Sequence, residues 1–396
     1  MLKAREPGSS RFVLVLGTAA AVAGALPVFV TAALAVQVSA SLGFGPVGIG
    51  AAVATFFAAV AFSAIHLGRA ADHLGAATAL RAANVGTAVA ALGIAAMATT
   101  WFSLALGLVL AGLAAALGDP AANRLLSLQI DRRRLGTALG LKQSAPPLAS
   151  MLAGLAVPAL ALTVGWRWAY ALAGGLALLV AAAVPRNTSP LSARPAQRRR
   201  GRPEPLEGRP ALLLLAASFA LAFAASSIVL AFYVDTAVRA GTSPARAGLV
   251  FAAASLTAIA TRLVAGVVCD RTAVRPLALG AGLLAAGAVG IAMFTLDQPW
   301  GPTVGVVIAL GGSWGFPGVF WYALMRAYPH APGRITGMMS PAAIGGVVGP
   351  LGFGALSTAA TDTTAWLATS VIALLSSATM LLGHHQLSQH SQHSRG

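Results

Sequence analysis

Residues 68–75 read Gly-Arg-Ala-Ala-Asp-His-Leu-Gly, and residues 266–271 read Gly-Val-Val-Cys-Asp-Arg. In both, a glycine stands four positions before an aspartate, as Gly68 before Asp72 and Gly266 before Asp270. The two copies are 198 residues apart, half the 396-residue chain. The echo continues: Gly136-x-x-x-Gly140 returns as Gly333-x-x-x-Gly337, and Pro120 returns as Pro317, each 197 residues on. Self-similarity over half the chain predicts two copies of one unit, running parallel to each other.

The segments around these motifs are long and apolar. Hydrophobic residues make up 57% of the chain and charged residues only 9%, too little polar surface for a soluble fold of this length. Runs long enough to cross a bilayer number twelve. In the first half they cover 12–36, 47–67, 79–99, 101–124, 137–161 and 168–184; in the second, 211–234, 247–268, 276–296, 303–325, 335–358 and 365–383. The predicted fold is an all-α membrane protein of two six-helix bundles. The first run follows Lys3, Arg5 and Arg11, but at about 25 residues it exceeds a signal-peptide core and reads as a retained helix.

Charge sets the orientation. Of 26 Lys and Arg, 21 fall in alternate loops, the two ends and the segment 186–210. The opposite loops hold only Arg167, Arg239 and Arg246. Positive charge accumulates on the cytoplasmic side, so both termini and the central segment are expected there. The organisation predicted is a bundle at 1–185, a Pro- and Arg-rich tether at 186–210, a bundle at 211–383 and a tail at 384–396. His384, His385, His390 and His393 in that tail lack regular ligand spacing and read as a disordered segment. The net charge of +16 is scattered between apolar runs rather than gathered on a face with aromatics, which argues against nucleic-acid binding. Cys269 stands alone, so neither a disulfide nor a metal cluster is expected.

The motifs resemble those of the major facilitator superfamily. The resemblance is carried by Gly68–Gly75, Gly266–Arg271, Trp166-Arg-Trp168 and the run Gly345-Gly346-x-x-Gly349-Pro350-x-Gly352-x-Gly354. Lys142-Gln143-Ser144 with Trp314-Gly-Phe-Pro317-Gly318 is similar to the cyanate-permease-like branch. His73, Ala76 and Ala77 depart from the basic residues usual in the loop motif. The fourth helix also lacks the mid-helix arginine typical of proton-coupled drug exporters. The resemblance implies a secondary transporter working by alternating access, driven by solute or proton gradients, with a small-molecule substrate, no cofactor and a monomeric state. It implies that Gly68, Asp72, Gly266, Asp270, Arg271, Gly349 and Pro350 serve gating. Asp72 would meet the start of the eleventh helix and Asp270 that of the fifth, where the helix dipole favours a carboxylate by about 0.3–1 kcal/mol. The bland alternative is ordinary polar loop residues after glycine turns.

Charges inside spans are the best site candidates, because burial is unfavourable unless they pair or face water. Asp119 and Lys142 lie about 7–8 Å inside their predicted helix ends, and Arg262 about 9 Å, at 1.5 Å per residue. In the family, the fifth and eighth helices face each other. The expectation is therefore one cluster of Asp119, Lys142 and Arg262, attracting an anionic solute and taking up a proton at Asp119. A purely structural ion pair is the equal alternative. Asn123 and Gln143 offer amides nearby. Trp314 is a cavity candidate because the tenth helix lines the cavity in this family. Phe316, Trp321, Phe232 and Tyr233 read first as packing, and Asp235 as an outer surface residue.

No Gly-x-x-x-x-Gly-Lys-Ser/Thr loop is present, which argues against an intrinsic ATP-driven pump. Acids within the spans are too few for an embedded enzyme. Three readings remain: uptake or exchange of a small organic anion, export of drug-like or secondary-metabolite molecules, and a transporter-like sensor.

Overall fold

The computed structural model describes residues 7–129, 141–185, 208–296, 298, 300–328, 335 and 338–393. Among these residues every regular element is helical. Two compact units form, Met1–Gly43 with Thr55–Arg199, and Phe44–Ala54 with Arg200–Gly396. Residues 186–207 of the expected tether, and the Gly136, Gly140, Gly333 and Gly337 of the repeat, lie outside the described residues.

In the first unit, α1 (Pro7–Ala33) bends at Leu34 into α2 (Ala35–Leu42). Then come α3 (Pro46–Leu74), α4 (Ala76–Met97), α5 (Trp101–Gln129), α6 (Ala145–Ala156, extended by a π turn at Val157–Ala161) and α7 (Arg167–Ala183). The second unit holds α8 (Arg209–Arg239), α9 (Pro244–Arg271), α10 (Pro276–Ala292), α11 (Trp300–Ser313), α12 (Phe316–Ala327), α13 (Gly345–Ala359) and α14 (Asp362–His393). Residues 44–54, which include the first turns of α3, pack with this second unit. Among the described residues ten helical segments are long and apolar enough to span a bilayer, with α11 and α12 together forming one of them. Two shorter apolar helices, Ala145–Ala161 and Arg167–Ala183, occupy the places read as the fifth and sixth spans.

Three readings from sequence are corrected by local chemistry. The fifth run does not continue as one α-helix through 161. A turn falls at residues 143–144 and α6 starts afresh at Ala145, because Pro146 and Pro147 have no N–H to bond the preceding turn. The tenth run breaks at Trp314–Gly315, again just before a proline, Pro317. Its repeat partner Pro120 instead sits inside an unbroken α5. The histidine-bearing tail is not irregular: α14 carries the chain as helix through His393.

Packing uses the devices available in lipid. In the first unit α1 lies against α5, α6 and α7, while α4 lies against α5 and α7. In the second, α14 packs on α8 and α10, and α11 on α9 and α10. Small residues let backbones approach where no hydrophobic drive separates helix from lipid. A Cβ on Gly312 would land on the carbonyl of Leu283 and the amide of Gly287, and one on Gly290 on the backbone of Ala309. Polar clasps add direction. Ser218 Oγ donates to Ser376 O and Ser376 Oγ donates to Ser218 O, both at 2.8 Å and buried. Ser376→Ala should lower stability by about 0.6–1.7 kcal/mol, the range for such bonds in membranes. The drop would appear as a lower thermal unfolding midpoint in micelles, and an unchanged midpoint would show the clasp to be energetically idle.

Gly75 closes the loop motif. It takes φ +81° between α3 and α4, a conformation that favours glycine because it has no Cβ to clash.

Candidate functional site

Lys142 is the most deeply buried charge of the site, with its side chain 2% exposed. It is helical, just before the turn at residues 143–144 that Pro146 and Pro147 enforce. Its ammonium donates to Asp119 Oδ1 and, at 2.9 Å, to Asn123 Oδ1. Asp119 and Asn123 are one turn apart on α5, so both oxygens face the same way. The pair is asymmetric: the Asp119 carboxylate is 63% exposed while its partner is sealed. A buried cation is therefore fixed by one neutral amide and by one carboxylate that water, protons or a solute can reach.

Asp119 sits deeper along its helix than sequence suggests. α5 runs on to Gln129, placing Asp119 ten residues from its end, about 15 Å at the helical rise. Arg124 carries the helix outward by pairing with Asp72, Nη1 to Oδ1 at 2.7 Å, and by bonding the Asp72 carbonyl at 3.2 Å. In sequence Arg124 only closes the fourth apolar run. Its signal was that Asp72, the acid of a recurring motif, has Arg124 as a cation on an apolar helix of the same repeat.

The expected three-residue cluster is divided between the units. Asp119 and Lys142 belong to the first. Arg262 belongs to the second, where its Nε donates to the Trp314 carbonyl at 2.6 Å. That carbonyl stands at the break between α11 and α12, where a helix end leaves acceptors without intrahelical donors. A guanidinium there satisfies the acceptor and complements the negative helix end. Arg262 thus stabilises the break, which explains how the tenth run tolerates it. Trp314 itself is buried, 7% exposed. Gln143 lies half-buried in the turn beside Lys142.

The remaining candidates lie at packing contacts or on the surface. A Cβ at Gly68 or Gly266 would meet nothing within 4 Å. Asp270 and Arg271 are exposed at the end of α9. A Cβ on Gly349 would press on Ala224 of α8, and one on Gly50 of α3 on the carbonyl of Pro350. These positions seat α13 against α8 and against the first turns of α3. Phe232 meets Phe353 at a tilt with centroids 4.4 Å apart, and Tyr233 stacks on Phe251 at 5.6 Å. Phe219 touches Phe316, Phe320 and Trp321. Asp235 is bound by Arg239, which also reaches Asp362 at 3.0 Å. In the Trp166-Arg-Trp168 motif, Arg167 lies over the Trp166 ring at 4.5 Å and donates to the Ala98 carbonyl at 2.6 Å. Tyr170, edge-on to Trp166, is bonded to Thr31 of α1 at 2.7 Å. That motif is a fastening for α7.

The whole arrangement is similar to two solved structures of a bacterial homolog of the human lysosomal transporter Spinster. The inward-facing, unoccupied form matches with a TM-score of 0.78 at 16% identity, over 98% of this chain and 99% of that one. The inward-facing, occupied form matches with a TM-score of 0.74 at 15% identity, over 98% of each. At these identities the likeness concerns the fold. The curated proteins include no match. The family model of the Major Facilitator Superfamily matches residues 12–350, most of the chain, and this protein belongs to that superfamily of membrane transporters.

Proposed function

We propose that the chain is a secondary active transporter that carries a small organic anion together with a proton by alternating access. The observation that carries this reading is Lys142 held between Asp119 and Asn123, with only Asp119 open. A buried ammonium needs a counter-charge, because an unpaired charge in a low-dielectric site is strongly unfavourable. Asp119 supplies it when no solute is bound. An entering anion meets Lys142 favourably only when the Asp119 charge is removed, and a proton on Asp119 removes it. Proton and anion then enter as a neutral pair, which is symport in either direction. Asn123 keeps Lys142 aimed while its charged partner changes.

In this reading twelve spans form two bundles, 1–185 and 211–383, joined by a cytoplasmic tether at 186–210. The tail 384–396 and the N-terminus lie in the cytoplasm, the membrane is the cell inner membrane, and the working unit is a monomer. The uneven placement of Lys and Arg supports this orientation. Asp72 acts as a gate by exchanging Arg124 for the start of the eleventh helix, and Asp270 is its counterpart in the second half. The Lys142-Gln143-Ser144 run supports the cyanate-permease-like branch. Export of drug-like molecules is disfavoured because the aromatics around Trp314 are packed on one another.

The test is flux into liposomes holding purified protein, with a panel of small carboxylates and inorganic anions and an imposed pH gradient. Uptake stimulated by the gradient is expected. In Asp119→Asn, uptake should persist but lose its dependence on the gradient. Stimulation unchanged in Asp119→Asn would remove the coupling role, and ligand binding without flux would point to a sensor.

A further inference from the structure

Outside this site, α3 carries a stripe at alternating spacings of four and three residues: Thr55, Ala59, Phe62, His66, Arg69 and His73. That spacing keeps the positions on one helix face. The upper part of the stripe forms one wall of a groove of about 580 Å³, with Ser63 beside it and Val109 and Leu113 of α5 opposite. Beside the groove α3 and α5 approach closely at Gly112: a Cβ there would strike the Phe56 carbonyl and the Ala59 side chain. Its lining is almost entirely hydrocarbon, with Phe62 75% exposed.

From Thr55 to His66 the groove runs about 16 Å at the helical rise, close to half the roughly 30 Å hydrocarbon core of a bilayer. Below it the same face turns basic. His66, Arg69 and His73 are all exposed. The adjacent acid, Asp72, is already paired with Arg124, so it does not cancel Arg69. An exposed imidazole at the depth of His66 calls for a polar partner, since lipid tails offer none.

We infer that this groove is a binding site for one anionic phospholipid, with an acyl chain along Thr55–Phe62 and the phosphate at His66, Arg69 and His73. One leaflet's chain length, an apolar wall and a cationic end match a single molecule of that chemistry. A zwitterionic lipid fits the groove equally but leaves Arg69 without a net negative partner.

The test uses full-length protein in phosphatidylcholine vesicles containing a trace of phosphatidylglycerol with a diazirine in its acyl chain, compared with a phosphatidylcholine probe of the same chain. Cross-links are mapped by mass spectrometry. Labelling of residues 55–67 and 109–113 should favour the glycerol headgroup about fivefold or more, as expected for each basic group at a membrane surface. Arg69→Gln with His73→Gln should bring that ratio to about one while keeping labelling by the choline probe. Ala58→Trp should reduce labelling of the groove by both probes. Equal labelling by the two headgroups in the unaltered protein would overturn the inference, as would a preference unchanged in the double variant. If Ala58→Trp fails to fold, the headgroup comparison still decides, because it leaves the groove wall intact.

Discussion

Lys142→Gln is expected to reduce proton-driven uptake by roughly 30- to 3,000-fold, the equivalent of losing one partner of a buried hydrogen-bonded charge pair at about 2–5 kcal/mol. The glutamine amide can still donate to Asn123, so local packing is largely kept. What is lost is the one charge able to hold an anion against Asp119. The thermal midpoint separates this from misfolding. Asp119 is mostly exposed and tolerates losing its partner far better than Lys142 would. A modest change in midpoint with collapsed uptake therefore fits a transport role. Loss of both together would make the pair structural. Uptake within about threefold of the parent, well short of one 1.4 kcal/mol decade, would exclude Lys142 from solute binding.

Gly312→Ala should be strongly destabilising for a change of a single methyl. The added carbon would meet the Leu283 carbonyl and the Gly287 amide, both backbone atoms of α10. No side chain can rotate away, so helices α10 and α11 must separate, and the Gly290 and Gly305 contacts along the same seam would open with them. Overpacking of this kind reaches the upper end of about 1–3 kcal/mol. At roughly 2–4 °C per kcal/mol, that is a fall of about 6–12 °C in unfolding midpoint. Gly282→Ala on the same α10 is the control, since a Cβ there meets nothing within 4 Å. It should leave the midpoint unchanged or raise it slightly, because alanine favours helix over glycine by about 1 kcal/mol. Equal effects from the two changes would show that backbone contact at Gly312 is not what limits stability.

The family and helical class were legible from repeated local features: apolar runs of bilayer length, and Gly68-x-x-x-Asp72 echoed by Gly266-x-x-x-Asp270. These are properties of consecutive residues, so a sequence states them directly. Helix continuity was less legible. Pro120 and Pro317 occupy matched positions, yet α5 continues through the first and the tenth run breaks before the second. At the second, the Arg262 guanidinium, fifty-two residues from Trp314 in sequence, satisfies the Trp314 carbonyl at the break.

The site followed the same division. Composition alone marked Asp119, Lys142 and Arg262 as charges out of place in apolar runs, because the cost of burying a charge holds wherever the chain folds. Their partners were a matter of tertiary structure. Lys142 reaches Asp119 and Asn123 on α5, nineteen or more residues earlier in the chain, while Arg262 is engaged at a helix end in the other unit. Sequence by itself determined that this chain is an all-helical membrane protein of a transporter superfamily, since hydropathy and repeat act over neighbouring residues. Only the tertiary structure decided which charges meet and which glycines are contacts, since both depend on backbones brought together from distant parts of the chain.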